Sequence, residues 1–261
     1  MLTINTTEMF PYAEMASTGL QRQWISKSQD VIVKEQLINK FEWRDDLVDV
    51  IGSAICKQLS TGWFSHINYE LCTIIDDDDG KQSKGRCYKV PQDMGEYAEM
   101  YKAMIACGFD KALTGVELLS ALFKTFEKLC IRYGKDYLTA MFLVDYLLCN
   151  YSRDLGTFGV VMRDRINPMN MYPIGNFGGG LFQGLYKNIL FPIPTLIQEM
   201  EYRLLGCTFQ QAMVLFMRHT NITSIIPSEL NVTGLEFPDD KSVELFCIQC
   251  RSLNIITKGV V

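Results

Sequence analysis

A nearly all-apolar helix that runs straight into a polar loop limits the possible folds more than any other part of this chain. Residues 136–149 are apolar on almost every side, and a helix of that kind lies buried in the centre of a domain. The loop follows at once as Asn-Tyr-Ser-Arg-Asp-Leu-Gly-Thr-Phe-Gly over residues 150–159. Charged and hydroxyl side chains are therefore expected at the end of a rigid core element.

Residues 145–159 resemble the catalytic loop of the HipA-like family of bacterial atypical serine/threonine kinases, which has the form D-Y-L-I-x-N-x-D-R-H-x-x-N-F-G. The residues that match this pattern are Asp145, Tyr146, Leu147, Asn150, Arg153, Phe158 and Gly159. The resemblance implies an α+β, two-lobed protein-kinase-like fold, with a small β-rich N-lobe and a helical C-lobe.

The loop differs from the family at two positions that carry its chemistry. In the family, the Asp before the Arg orients the acceptor hydroxyl, and a later Asn helps to hold the metal on the nucleotide phosphates. This chain has Ser152 and Thr157 at those positions. The resemblance therefore implies a degenerate catalytic loop at Ser152 and Asp154, with Asn150 and Thr157 beside the nucleotide. Asp154 is the carboxylate that a rearranged loop would bring to the acceptor.

A second block, Pro-Ile-Gly-Asn-Phe-Gly-Gly-Gly-Leu-Phe over residues 173–182, is similar to the family segment P-x-F-D-x-G-x-S-L. The Asp of that segment is the main magnesium ligand in the family, and Asn176 stands in its place. Phosphoryl transfer depends on positioning and on metal that neutralises charge on the phosphate oxygens. Because magnesium prefers anionic oxygen ligands, an amide and two hydroxyls offer it little. The sequence predicts a pseudokinase with ATP as its expected ligand and no protein metal site.

A hairpin is predicted over residues 24–35, because polar and apolar residues alternate there around a β-branched run. Its second strand carries Lys34, which matches the family lysine that holds the α- and β-phosphates. Residues 45–59 have the apolar spacing of an amphipathic helix, in the place of the family helix that offers a Glu to that lysine. Asp49 is the nearest acidic match, shorter than Glu by one methylene.

The remaining pattern predicts a small N-lobe over residues 1–90 and a helical C-lobe over residues 91–261, with the nucleotide hinge near residues 87–92. Further strands are expected at residues 66–75, 85–90, 158–162 and 171–174, and further helices at residues 117–132 (ended by Gly134), 198–205, 209–219 and 242–255. Residues before Trp24 receive no assignment.

Composition excludes several classes of function. A formal net charge of -5 argues against a surface dominated by Lys and Arg for binding nucleic acid. The nine cysteines are dispersed through apolar stretches, as expected of buried thiols in a reducing cytoplasm. The longest apolar run, near residues 138–149, is interrupted by Asp145 and too short to cross a bilayer. We therefore expect a cytoplasmic protein without a membrane anchor.

Three functions follow from these patterns. The first is a bacterial or phage pseudokinase that acts by binding nucleotide, a protein partner, or both, as a regulator or inhibitor. The second is an active atypical kinase that uses a displaced carboxylate such as Asp154. The third is an interaction protein from a mobile element or host-defence system that kept the scaffold and lost the nucleotide.

Overall fold

A computed structural model describes residues 2–11, 21–36, 43–59, 64–77, 80–90, 96–162, 168–181 and 193–259. The helices are Asp45–Leu59 (α1), Met100–Ala106 (α2), Gly115–Lys128 (α3), Gly134–Leu148 (α4), Ile193–Glu199 (α5), Phe209–His219 (α6), Ile222–Ile225 (α7) and Asp240–Ser252 (α8). The strands are Leu2–Asn5 (β1), Met9–Pro11 (β2), Gln23–Ser26 (β3), Val31–Glu35 (β4), Glu70–Ile75 (β5), Gln82–Lys89 (β6), Glu96–Glu99 (β7), Gly159–Met162 (β8), Pro168–Met171 (β9), Glu201–Tyr202 (β10), Cys207–Thr208 (β11), Glu229–Asn231 (β12) and Ile256–Lys258 (β13). The predicted α+β class is confirmed.

Six strands form the main sheet in the order β1-β5-β6-β4-β3-β2. The predicted hairpin is present as β3 and β4, which pair antiparallel, and β4 pairs in turn with β6. That register sets Lys34 opposite Arg86 on the neighbouring strand. Strand β1, which lies among the residues without a predicted assignment, pairs parallel with β5 at the edge of the sheet.

Helix α1 has the predicted bounds and packs against the sheet and against α4. Its apolar stripe is fully buried at Val48, Ile51 and Ile55, because residues three and four apart lie on one helical face. The same helix carries Asp45 and Asp49, which are also buried. Buried carboxylates on a core helix require partners, and these partners define the site described below.

Helix α4 lies in the middle of the helical region, as the apolar pattern predicted. Its side chains from Tyr137 to Leu148 are buried, and α1, α3, α6, α7 and α8 pack around it. Phe142 stacks on Phe216 of α6 with ring centroids 4.1 Å apart. The left-handed backbone of Cys149 (φ 48) ends the helix and turns the chain into the polar loop.

Several predicted helix boundaries were wrong; the helix predicted at residues 242–255, for example, is Asp240–Ser252. Helix α3 ends at Lys128, and Gly134 begins α4. A side chain at Gly134 would overlap the ring of Phe126, so the close approach of α3 requires glycine there. The helix predicted at residues 198–205 stops at Glu199, and β10 and β11 then form a short antiparallel pair. The buried apolar residues of this segment line a tight turn rather than one face of a helix.

Strand β8 pairs with both β7 and β9, so the predicted strand pair after the loop is confirmed with small shifts in its bounds. The sequence pattern predicts a turn at residues 164–170: residues 164–167 lie outside the described residues, and residues 168–170 belong to β9 instead. The end of the predicted hinge, residues 91–92, also lies outside the described residues. The division of the chain near residue 90 stays a prediction. Within the described ranges, every helix falls short of the length and apolarity needed to cross a bilayer.

Candidate functional site

A buried ion pair at the end of α4 organises the polar loop. Arg153 Nε donates to Asp145 Oδ2 and Arg153 Nη2 to Asp145 Oδ1, both at 2.8 Å. Tyr202 Oη donates to Asp145 Oδ2 at 3.0 Å, and Asn150 Nδ2 donates to Asp145 Oδ1 at 2.8 Å. The Asp145 carboxylate is therefore fully engaged in a structural role.

The same loop binds the backbone of the second predicted block. Arg153 Nη1 donates to the carbonyl of Gly175 at 2.8 Å, and Asn150 Nδ2 also donates to the carbonyl of Asn176 at 3.1 Å. The amide of Leu181 donates to the carbonyl of Leu148 at the end of α4. The two blocks that resemble kinase motifs are thus adjacent, and main-chain groups hold them together.

The three residues at the altered positions lie around this junction. Ser152 Oγ donates to Asn150 Oδ1 at 3.0 Å, and Thr157 Oγ1 donates to the carbonyl of Asp154 at 2.8 Å. Asn176 is exposed, has left-handed backbone (φ 60), and directs Nδ2 to the carbonyl of Thr157 at 3.4 Å. Each of these polar groups therefore has a partner within the loop or the facing segment.

Asp154 turns towards its own loop. Its Oδ1 accepts from the amide of Gly156 at 2.9 Å, and its Oδ2 lies 3.4 Å from Nη2 of Arg203, an exposed side chain. This geometry gives Asp154 a turn-forming role in the structure described. Among the described residues, no three His, Cys, Asp or Glu side chains form a group that could hold a metal ion.

Lys34 is buried in the main sheet near the ring of Tyr88, with Nζ 5.7 Å from the ring centroid. Within the described part of the chain, no carboxylate forms an ion pair with its ammonium group. Burial, followed by repulsion from Arg86, lowers the pKa of Lys34 to about 8, although the carboxylates of Asp49 and Asp45 oppose the shift. Lys34 is therefore a buried cation without a dedicated anion in the described protein.

Arg86 on β6 takes the acidic partner that the resemblance assigned to Lys34. Arg86 Nε forms an ion pair with Asp49, and Arg86 Nη1 lies 2.8 Å from Asp45 Oδ2. In the structure, the predicted pairing of Asp49 with the strand lysine is replaced by a pairing with this arginine. Burial raises the pKa of Asp49, and Arg86 is the main group that opposes this shift.

Asp49 also connects α1 to the second block. Its Oδ1 accepts a hydrogen bond from the amide of Phe177 at 2.6 Å, and Gly52 on the next turn leaves space for the Phe177 ring. Tyr69 Oη lies 3.4 Å from the amide of Asn176. The buried polar groups of α1, of the loop and of the second block therefore form one connected network, and Ser152, Asp154, Thr157 and Asn176 lie at its more exposed edge.

Sequence reasoning did not identify Arg86 or Tyr202 as part of this network. No sequence signal marked Arg86, because the same strand also carries Lys84 and Lys89, which are exposed, and the sequence alone does not distinguish a buried arginine from these surface cations. Tyr202 was equally unmarked, and it reaches Asp145 from a region wrongly predicted as helix.

Comparisons with known proteins agree with the architecture. No protein-family model matches the chain, and no curated protein matches it in sequence. The crystal structure of a Helicobacter pylori proinflammatory kinase, CtkA, superposes with a TM-score of 0.56 and 16% sequence identity, over 96% of this chain and 94% of that one. The chain has a kinase-like fold. This similarity confirms the predicted two-lobed class and leaves the HipA-like family as a proposal.

A second solved structure is the complex of Neurospora crassa PAN2 (WD40-CS1) with PAN3 (pseudokinase and C-term). It matches at a TM-score of 0.31 and 9% identity, over 94% of this chain and 61% of that one. A likeness this weak adds nothing to the assignment of the kinase-like fold.

Proposed function

We propose that this chain is a HipA-like pseudokinase that binds ATP through Lys34 and acts as a regulator or inhibitor of a protein partner. The observation that carries the proposal is the combination of an available buried cation at Lys34 with hydroxyl and amide groups at Ser152, Thr157 and Asn176. The first favours a bound phosphate group, and the second disfavours metal-assisted transfer of that group.

The residues fit a nucleotide but not a magnesium ion. A buried ammonium near Tyr88 can form a charge-assisted hydrogen bond with a phosphate oxygen, which also compensates the lost hydration of the lysine. Magnesium requires anionic oxygen ligands, whereas Asn176 offers an amide that is directed to the carbonyl of Thr157. We therefore assign ATP binding to the chain's own residues and derive no step through a metal ion.

Buried ion pairs that do not involve Lys34 support this proposal. Arg86 holds Asp49 and Asp45 of α1 through its own charge, so the position of α1 does not require an ion pair with Lys34. The Arg153–Asp145 pair holds the loop in the same way. A phosphate group at Lys34 would thus bind beside ion pairs that are already formed, and the protein partner would recognise the nucleotide-bound form.

Titration calorimetry of ATP, with magnesium and with a chelator, tests the proposal. Loss of one charge-assisted hydrogen bond is worth about 1.5–3 kcal/mol, so we expect Lys34→Ala to weaken binding at least roughly tenfold. Lys84→Ala, an exposed lysine of β6, is the matched control and should bind like the parent. Chelation should leave the parent's affinity almost unchanged. Absence of ATP binding by the folded parent would contradict the proposal.

Phosphate transfer from labelled ATP separates a pseudokinase from an active kinase. We expect the parent to show no more transfer than Lys34→Ala. Transfer by the parent that disappears in both Lys34→Ala and Asp154→Ala would instead establish the alternative in which a rearranged loop uses Asp154.

The affinity for ATP should fall as pH rises through the pKa of Lys34. Because that pKa is lowered to about 8, the ammonium is mostly charged near pH 7 and mostly neutral near pH 9. We therefore expect parent binding to weaken by roughly a factor of ten across this interval. Lys34→Arg keeps its charge over the whole range and should flatten the profile. If ATP affinity changes with pH equally in the two proteins, Lys34 does not bind the nucleotide.

A further inference from the structure

A cavity lies among the helices, away from the polar loop. It measures about 780 Å³ and is bordered by α3, by the first half of α4 and by the segment from the end of α6 to α7. Along α4, Thr139 borders this cavity and Leu148 precedes the polar loop. At 1.5 Å per residue, these positions are about 13 Å apart along the helix axis. The cavity is therefore separate from the site around Lys34.

The floor of this cavity is apolar. Phe126 and Ile131 are buried side chains of α3 and of the turn after it, and Ala140 of α4 is a third buried apolar residue that lines the cavity. A cavity of this volume falls within the range of pockets that bind drug-sized molecules. The floor can therefore accept the hydrocarbon part of a small ligand.

The rim of the cavity carries a group of basic side chains. Arg132 and Lys135 lie on one side, and Arg218 and His219 lie opposite, at the last turn of α6. Lys135 Nζ is 3.3 Å from Glu127 Oε1, and its charge is partly compensated. In the ranges that the structure covers, neither Arg218 nor His219 forms an ion pair with an acidic side chain.

Basic residues at a helix C-terminus stabilise the helix by interacting with its dipole, and this accounts for their presence at the end of α6. It does not account for Arg132, which reaches the same cavity from the turn between α3 and α4. Two elements therefore direct cationic groups towards one apolar depression, in a protein whose net charge is -5. Two acids, Glu127 and Asp136, also line the cavity, and the basic side chains outnumber them.

We propose that this cavity binds a small amphiphilic anion, with a hydrocarbon body against Phe126 and Ile131 and a phosphate or carboxylate head between Arg218 and Arg132. The arginine guanidinium suits both head groups, because it can donate two parallel hydrogen bonds to either. This site is independent of nucleotide binding at Lys34. It gives the protein a second ligand site, in its helical lobe.

Hexyl phosphate tests both halves of this ligand chemistry. In calorimetric titrations with the full chain, we expect it to bind at least roughly tenfold more tightly than inorganic phosphate or 1-hexanol, since each lacks one of the two contacts. Hexanoate in a parallel titration distinguishes a carboxylate head from a phosphate head. Affinity for hexyl phosphate no greater than for inorganic phosphate would overturn the proposal.

Three variants locate the site. Arg218→Glu should weaken hexyl phosphate binding at least roughly tenfold, because it places a negative charge beside the head group. Lys124→Glu makes the same charge change at an exposed position of α3 outside the cavity, and its affinity should stay within about twofold of the parent. Lys34→Ala should also bind like the parent. Equal losses of hexyl phosphate affinity in Arg218→Glu and Lys124→Glu would show a general charge effect. A loss of affinity in Lys34→Ala would place the ligand at the nucleotide site. Either result would show that the cavity is not the binding site.

Discussion

Replacement of Arg153 by alanine is expected to lower the free energy of unfolding by about 3–5 kcal/mol. Arg153 is only 1% exposed and forms two hydrogen bonds to Asp145, which is itself fully buried. Removal of the guanidinium leaves an uncompensated carboxylate in the core and frees the carbonyl of Gly175. Chemical denaturation followed by circular dichroism measures this change.

An arginine on the protein surface provides the control for that experiment. Arg203 is 68% exposed at its side chain and lies 3.4 Å from Asp154, so Arg203→Ala should cost no more than about 1 kcal/mol. Tyr202→Phe removes one hydrogen bond to Asp145 and should fall between the two, at about 1–2 kcal/mol. If Arg153→Ala is no less stable than Arg203→Ala, the buried pair does not organise the loop.

Replacement of Arg86 by methionine should have a comparable effect on the other half of the site. Methionine approximates the length of the arginine stem but supplies no charge, so Asp45 and Asp49 lose their shared cation. We expect the free energy of unfolding to fall by about 3–5 kcal/mol near neutral pH. Lys84→Met, at an exposed position of the same strand, should change stability by no more than about 0.5 kcal/mol.

The pH dependence of the stability of the Arg86→Met variant identifies why it is destabilised. Burial raises the pKa of Asp49, and Arg86 opposes that shift in the parent. Without Arg86, the folded protein holds a proton on Asp49 more strongly than the unfolded protein does. The variant should therefore recover part of its lost stability as pH falls from neutral towards about pH 5. A deficit that is constant with pH would indicate lost packing rather than unpaired charge.

Local patterns in the sequence were sufficient to predict the elements whose side-chain pattern is clear. Helix α1 has a single apolar stripe, and its predicted and observed bounds agree. The β3–β4 hairpin was also predicted correctly, from its β-branched run, although both faces of β4 are buried. The turn between α5 and α6 was predicted as helix, since Tyr202, Leu204 and Leu205 are apolar at spacings that suit a helix but are buried around a tight turn.

The partners of charged residues could not be read from the sequence. Lys34 and Arg86 are separated by more than fifty positions, and only the antiparallel register of β4 and β6 sets them opposite each other. Which of these two cations meets Asp49 depends on distances of a few ångströms between α1 and the sheet. The roles proposed for Ser152, Asn150 and Thr157 remain predictions, although the structure brings all three residues to the same loop.

The contacts that join the loop to residues 175–176 consist of side chains bound to backbone carbonyls. A carbonyl is present whatever side chain the residue carries, and Asn176 directs its own side chain to the surface. Position 176 needs only a residue that tolerates left-handed backbone, which Asn and Asp both do. An exchange between Asn and Asp at position 176 should therefore change the free energy of unfolding little, so folding stability does not determine whether this position carries a carboxylate.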